Sequence, residues 1–242
     1  MFLDGYSFDR LVEDFGKIKW DNMIEAFKYT VLMTVVSTLI AYIIGLPIGL
    51  LLHVTSKKGL KPNRVVSGIL GFFVNVLRSI PCLLLIVLLI PVTNVFFGRG
   101  SWSGNWYSMI VPLVFASFGF IARMVEQSLS EVDSGVIEAA KSLGASNTQI
   151  VFRVLLSEAK PSLISGFAVT VVSIIGYTSF AGYISGGGLI VEAFNLGYYG
   201  SNKIGMWLCI VFVVLIVQVI QEGGLFIAKK VDKRRTLRWR KV

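Results

Sequence analysis

Residues 29–52 read YTVLMTVVSTLIAYIIGLPIGLLL, 24 positions without one charged side chain. A soluble core helix seldom needs more than ~10–14 consecutive apolar residues, whereas crossing a bilayer takes ~20. On the carboxy-terminal side, residues 79–98, 100–122, 161–191 and 204–221 are equally free of charge. These runs are continuous and do not alternate with period two, so they are helices and not barrel strands. The fold class is therefore all-α. It is a polytopic membrane protein with five transmembrane helices: Tyr29–Leu52, Gly68–Val95, Tyr107–Val125, Pro161–Gly182 and Ile204–Ala228. Composition agrees, with 55% hydrophobic and 15% charged residues in 242, where soluble domains carry roughly 25% charged. A soluble enzyme or binding domain is excluded.

Charge gives the orientation. Of 23 Lys and Arg, eight lie after Ala228 and four in residues 53–64. With the amino terminus outside, the inside segments hold 16 basic residues and the outside segments six, as the positive-inside rule requires. The carboxy terminus is then cytoplasmic, and its basic tail sits beside anionic lipid. The net charge of +9 thus points to a membrane surface and not to nucleic acid. The chain divides into three parts: residues 1–28 as an extracytoplasmic segment, 29–228 as the transmembrane domain, and 229–242 as a cytoplasmic tail. The first 28 residues mix six acids with four bases, unlike a cleavable signal peptide. Phe2, Phe8, Leu11, Val12 and Phe15 suit either a short amphipathic helix on the outer face or a partly ordered tail.

What the spans lack narrows the function. No Asp or Glu falls inside the first four, and Glu222 is near the end of the fifth. Ion-coupled carriers usually need an intramembrane carboxylate or a broken-helix carbonyl site. No G-x-x-x-x-G-K-[ST] loop is present to cradle nucleotide phosphates, so energy for uphill transport has to come from a partner. Cys82 and Cys209 lie in apolar runs without metal-ligand spacing and read as small hydrophobes. No catalytic constellation and no metal site is expected. Five helices are few for enclosing a polar pathway, so self-association is expected.

Between the third and fourth spans, about residues 130–160, the chain changes to mixed charge. Residues 134–143 read as one short helix, ended by Gly144, which tolerates the left-handed conformation a helix end favours. Ser146-Asn147-Thr148-Gln149 is a capping box opening a second helix, Gln149 to Lys160. Small residues at Ala139, Ala140 and Gly144 let another backbone approach, and Glu138 offers a carboxylate. This hairpin is a docking element or a capped connection between spans.

Glu138-Ala139-Ala140, then Gly144, then Val154-Leu155-Leu156, resembles the E-A-A loop of ATP-binding-cassette importer permeases. In that family the loop is a coupling helix seated in a groove on a cytoplasmic ATPase, so Glu138, Ala139, Ala140, Leu143, Gly144 and Leu156 are implied as coupling residues. The family has proline after the leucine where this chain has Ser157, so the helix is expected to run unbroken into the fourth span. Ile44-Gly45-Leu46-Pro47-Ile48-Gly49, Arg78-Ser79-Ile80-Pro81, Ile121-Ala122-Arg123-Met124-Val125-Glu126, Gly176-Tyr177-Thr178-Ser179 and Gly186-Gly187-Gly188-Leu189 resemble the methionine-importer permeases in particular. The likeness runs from about Ile24 to Ala228. It implies a homodimer in a bacterial plasma membrane, two ATPase subunits inside, and a substrate-binding protein outside, often a lipoprotein, that delivers methionine. ATP and magnesium would be bound by the ATPase, leaving this chain without a cofactor.

Several residues keep two roles open. Arg78, deep in a span at a cost of at least ~2.5–3.5 kcal/mol, either satisfies carbonyls freed by Pro81 or faces a wet pathway. Arg123 and Glu126 pair at a helix end. Gly45-x-x-x-Gly49 permits close helix approach, or Pro47 marks a kink there. Phe180, among Thr178, Ser179, Ala181 and Gly182, is either a hydrophobic constriction or ordinary packing. Together Arg78, Tyr177, Ser179 and Phe180 are the candidate pathway residues. The glycines at 186–188 make tight turns. The leading function is an ATP-driven methionine importer permease. Its alternatives are a permease for another amino acid or a short methionine-containing peptide, a membrane-embedded enzyme, or a passive channel.

Overall fold

The computed structural model describes residues 8–184 and 186–232. Phe2 and the tail from Lys233 onward lie outside the described residues. Within them all regular structure is helical. The longer elements are α1 (Phe8–Gly16), α2 (Trp20–Thr55), α3 (Arg64–Ser79), α4 (Cys82–Leu88), α5 (Ile90–Phe97), α6 (Ile110–Ser130), α7 (Ser134–Ser142), α8 (Lys160–Tyr177), α9 (Leu189–Phe194) and α10 (Lys203–Val231). Four helical segments are long and apolar enough to cross a membrane, five if the bent pair α3 and α4 forms one span.

The amphipathic pattern near the amino terminus does form a helix, α1, but leaves Val12 and Phe15 exposed. The first span is longer than its apolar run. It starts at Trp20, with Asp21 in the first turn, where a carboxylate is favoured by the helix dipole. Buried Met23, Ala26, Thr30, Met33 and Thr34 recur every three or four residues and mark its packed face.

The second span is not the single helix that its continuous apolar run suggests. Pro81 disfavours helical backbone at the residue before it, and Ile80 is extended (φ −82°, ψ 121°). Helix resumes at Cys82 and is interrupted again at Leu89. Pro91 then occupies the first turn of α5, where its missing N–H costs nothing.

The chain sorts into two compact units, and α2, α6, α8 and α10 each contribute residues to both. Of the described residues, the first contains 8–37, 82–113 and those of 174–219. Met33, Ile86, Met109, Leu113, Ile174, Ala181 and Ile184 form one cluster, and Ile18, Met23, Ala26, Leu189, Ala193 and Cys209 a second. Two buried polar side chains fasten its ends. The Leu189 amide at the start of α9 donates to Thr30 Oγ1 (2.8 Å), because the preceding Gly188 has no side chain to cap with. Gly187 and Gly188 both have positive φ (74° and 106°), so the turn expected at 186–188 uses glycine where other residues are strained.

Asn202 does the same for α10. Its Oδ1 accepts from the Gly205 amide (2.9 Å), while Nδ2 donates to the Asp14 carbonyl (2.8 Å). Asn202→Ala removes both the cap and the tie to α1, a loss of about 1–3 kcal/mol. The detergent-solubilised protein should melt at lower temperature, and Asn202→Asp, which can still cap, should fall between the two. Equal melting of all three would show that the tie contributes nothing.

The second unit contains residues 38–81, 114–173 and 220–232 of those described. Here α2 meets α6 at the glycine pair. A Cβ on Gly45 would stand 2.8 Å from Ile121 Cγ2 and 2.9 Å from the Phe118 carbonyl oxygen. One on Gly49 would press on the Ala122 carbonyl and stand 2.7 Å from Val125 Cβ. Close approach is thus realised, and α2 passes through Pro47 as one helix. Leu52, Val74 and Ala122 are buried beside this contact. The span helices differ in cover: 67% of the most apolar window of residues 106–130 is buried, but only 11% of that of α10. Among the described residues, the latter leaves most of its apolar surface without a neighbour.

Candidate functional site

The segment between α6 and α8 is built from local rules. Asp133 caps α7 by accepting from the Gly135 amide (2.6 Å). At the other end Gly144 takes φ 79°, its amide donates to the Lys141 carbonyl, and the Ala145 amide donates to the Ala140 carbonyl. That bond pair with a left-handed glycine is a Schellman motif. The Ser146–Gln149 capping box is closed in both directions, at 2.9 and 3.3 Å.

No residue of α7 is buried. Glu138, Ala139 and Gly144 are exposed, Ala140 and Leu156 half-buried. Leu143 is 89% exposed at the tip. Glu138 makes no ion pair among the described residues. The capped helix thus shows a leucine, a carboxylate and small residues to its surroundings. Its base is held as well: Ser162 Oγ hydrogen-bonds the Glu131 carboxylate and the Ser128 hydroxyl, 2.9 Å each.

Beyond the capping box the chain runs on helically towards α8, as Ser157 in place of proline suggested, but with two irregularities, a π turn and a bend at Ala159. Residues Ile150–Leu155 form a π-helical turn, in which the Leu156 amide reaches back to the Val151 carbonyl. Backbone bonding then continues across Ala159 into α8.

Arg78 ends α3, exposed on a cleft of about 470 Å³ lined also by Phe120, Arg123, Met124, Glu126, Gln127 and Ser130. In that turn Ser79 Oγ donates to the Asn75 carbonyl (2.8 Å), and among the described residues no hydrogen bond joins Arg78 to the Leu77 carbonyl that Pro81 frees. Among the described residues Arg78 has no hydrogen-bond or ion-pair partner. Arg123 is saturated by comparison. It pairs with Glu126 (2.6 Å), as their spacing indicated, and also donates to Asn75 Oδ1 (2.9 and 3.2 Å) and the Gly71 carbonyl. Asn75 gave no signal in the sequence, being 48 residues away.

The other three candidate pathway residues belong to the first unit, and Arg78 to the second. Past Tyr177 the helix tightens to 3₁₀ over Thr178–Ile184, a local change often found at hinges. Thr178 and Ser179 hydroxyls donate to the Ile175 and Gly176 carbonyls. Tyr177 and Phe180 pack, half-buried, on the cluster of Met33, Ile86 and Met109. Ser179 lines an open cleft with Tyr183, Asn195 and Tyr199. Within one chain Phe180 is therefore a packing residue.

Comparison with known proteins bears on this arrangement. A family model described as "binding-protein-dependent transport system inner membrane component" matches residues 45–233. The chain is 35% identical over 228 residues to the probable D-methionine transport system permease protein MetI of Vibrio cholerae, covering 94% of this chain and all of that one. It is 43% identical over 184 residues to the methionine import system permease protein MetP of Bacillus subtilis, covering 76% and 82% respectively. Its fold is similar to a chain of the MetNI methionine ABC transporter solved in inward-facing conformations. There the TM-score is 0.83 and the identity 37%, over 88% of this chain and 97% of that one.

Proposed function

Since this chain belongs to the inner membrane components of binding-protein-dependent transport systems, we propose that it is the permease subunit of an ATP-driven methionine importer, working by alternating access. The observation that carries the coupling role is the exposed α7 hairpin, with Glu138, Ala139, Ala140, Leu143 and Gly144 on a doubly capped element with no buried side chain. Two copies of the chain, each joined to a cytoplasmic ATPase through this hairpin, make the translocation unit. The sparse cover of α10 supports a second copy or lipid on that face. An extracytoplasmic binding protein supplies the substrate. ATP and magnesium belong to the ATPase, because this sequence has no phosphate-cradling loop. The permease itself makes and breaks no covalent bond; it converts closure of the two ATPases into a rigid-body movement of the spans.

The direct test is uptake of labelled methionine into proteoliposomes containing the permease, its ATPase and the receptor. Uptake should require all three proteins and ATP. Passage without ATPase would replace the importer with a channel.

Orientation is set by the distribution of basic residues. Arg99→Cys should react with a membrane-impermeant maleimide in intact spheroplasts, and Ser142→Cys only after permeabilisation. Both positions are exposed, and Cys82 and Cys209 are buried. The reverse labelling would place the hairpin outside, away from any ATPase.

A further inference from the structure

Arg78 is the one basic residue inside an apolar run, and the structure leaves it exposed on the cleft with no partner among the described residues. The facing wall is equally unusual for a membrane helix. Arg123, Glu126, Gln127 and Ser130 succeed one another on α6 at spacings of three, four and seven, so they share a single face. This polar stripe begins at the end of the third span, past which the helix meets water, and it lines the cleft together with Arg78. The charges on that wall are already paired, because Arg123 and Glu126 neutralise each other at 2.6 Å, and Asn75 Oδ1 and the Gly71 carbonyl hold Arg123 further. His53, the other titratable group near this face, contacts the Ser130 hydroxyl (3.2 Å). One positive charge remains.

We propose that Arg78 is the subsite for the α-carboxylate of the amino acid in transit. This rests on the importer function above and adds which atoms of the cargo are held. A guanidinium presents two parallel N–H groups that match both carboxylate oxygens, and the carboxy-terminal end of α3 is where a helix dipole favours a cation. The Cγ of Arg78 lies beside Gly119, where a Cβ would come within 3.3 Å of it, so a larger residue there would crowd the stem that aims the guanidinium. Gln127, Phe120 and Met124 then meet the rest of the molecule, and the cleft is roomy enough for a small amino acid.

The test uses the permease–ATPase complex in vesicles without receptor. Gln127→Cys places a thiol on the exposed wall of the cleft, and its rate of alkylation is measured. Millimolar methionine should slow labelling at least threefold. Methioninol, which lacks the carboxylate, should not. Adding Arg78→Gln should remove the protection, whereas Arg78→Lys, which keeps the charge without the fork, should retain part of it. Equal protection by methionine and methioninol overturns the assignment, as does protection that survives Arg78→Gln in a complex that still assembles. Slow labelling in phosphatidylglycerol vesicles without methionine, against fast labelling in phosphatidylcholine, would make lipid phosphate the occupant and also overturn it. Uptake by the same complex with receptor is measured in parallel. Loss of protection with uptake intact removes only the Arg78 subsite, whereas absence of ATP-dependent methionine uptake removes the importer function itself.

Discussion

Gly144→Leu is expected to reduce ATP-dependent methionine uptake more than tenfold while the permease still inserts and dimerises. Two effects combine. Gly144 has φ 79°, a conformation that costs an L-residue about 1–2 kcal/mol, so the Schellman turn that aims the hairpin is weakened. No described residue lies within 4 Å of where a Cβ would stand. The new side chain therefore projects outward, into the space that a docked partner has to enter. Leu143→Asp should act similarly from the neighbouring position, by putting a charge where an 89% exposed leucine awaits an apolar pocket. Glu138→Lys reverses the charge offered to the partner. The measurements are ATPase co-purification and hydrolysis stimulated by loaded receptor. If all three variants retain both at normal levels, α7 is not the coupling element.

Gly49→Leu should act one step earlier, leaving little or no folded complex. The neighbour that a Cβ on Gly49 would meet is the Ala122 carbonyl on α6, backbone that cannot swing aside as a side chain can. Gly49→Ala is the graded version and should destabilise by about 1–3 kcal/mol, the usual cost of overpacking. The control is Gly68→Ala in α3, where nothing lies within 4 Å. There the change should be neutral or stabilise by about 0.4–1 kcal/mol through the unfolded chain. Yield and melting temperature in detergent report all three. Equal behaviour of Gly49→Ala and Gly68→Ala would mean that the α2–α6 contact yields freely.

Legibility in the sequence tracked the range of the interactions. The capping box at Ser146 and the glycine stop at 144 are determined within a few residues, and both form as read. The long apolar runs locate the spans because bilayer thickness sets their length. Helix ends were harder. Asp21, Glu25 and Lys28 have the composition of a loop, yet they sit on the polar turns of α2, since a helix can continue into water once its buried face is packed. The break at Ile80 was hidden in an unbroken apolar run, where only Pro81 marked it. Contacts distant in sequence left no trace: Thr30 meets the Leu189 amide across 159 residues, and Asn75 meets Arg123 across 48. The sequence did separate Arg78 from Arg123, because Glu126 three residues on gave Arg123 a partner; what it could not show was the second one, Asn75.

The π-helical turn at Ile150–Leu155 acts as a phase shifter. A π turn holds one residue more than the α-helical ladder around it, so it rotates the hairpin by about 100° around the axis relative to α8. The compass direction in which Leu143 and Glu138 point is therefore tied to the count of residues between the capping box and α8. Deleting exposed Phe152 would let the ladder close as a plain α-helix. Every cap and both short helices would survive, yet the hairpin would present a different side to its partner. Such a protein would fold, insert and dimerise, with its hydrolysing partner no longer in register.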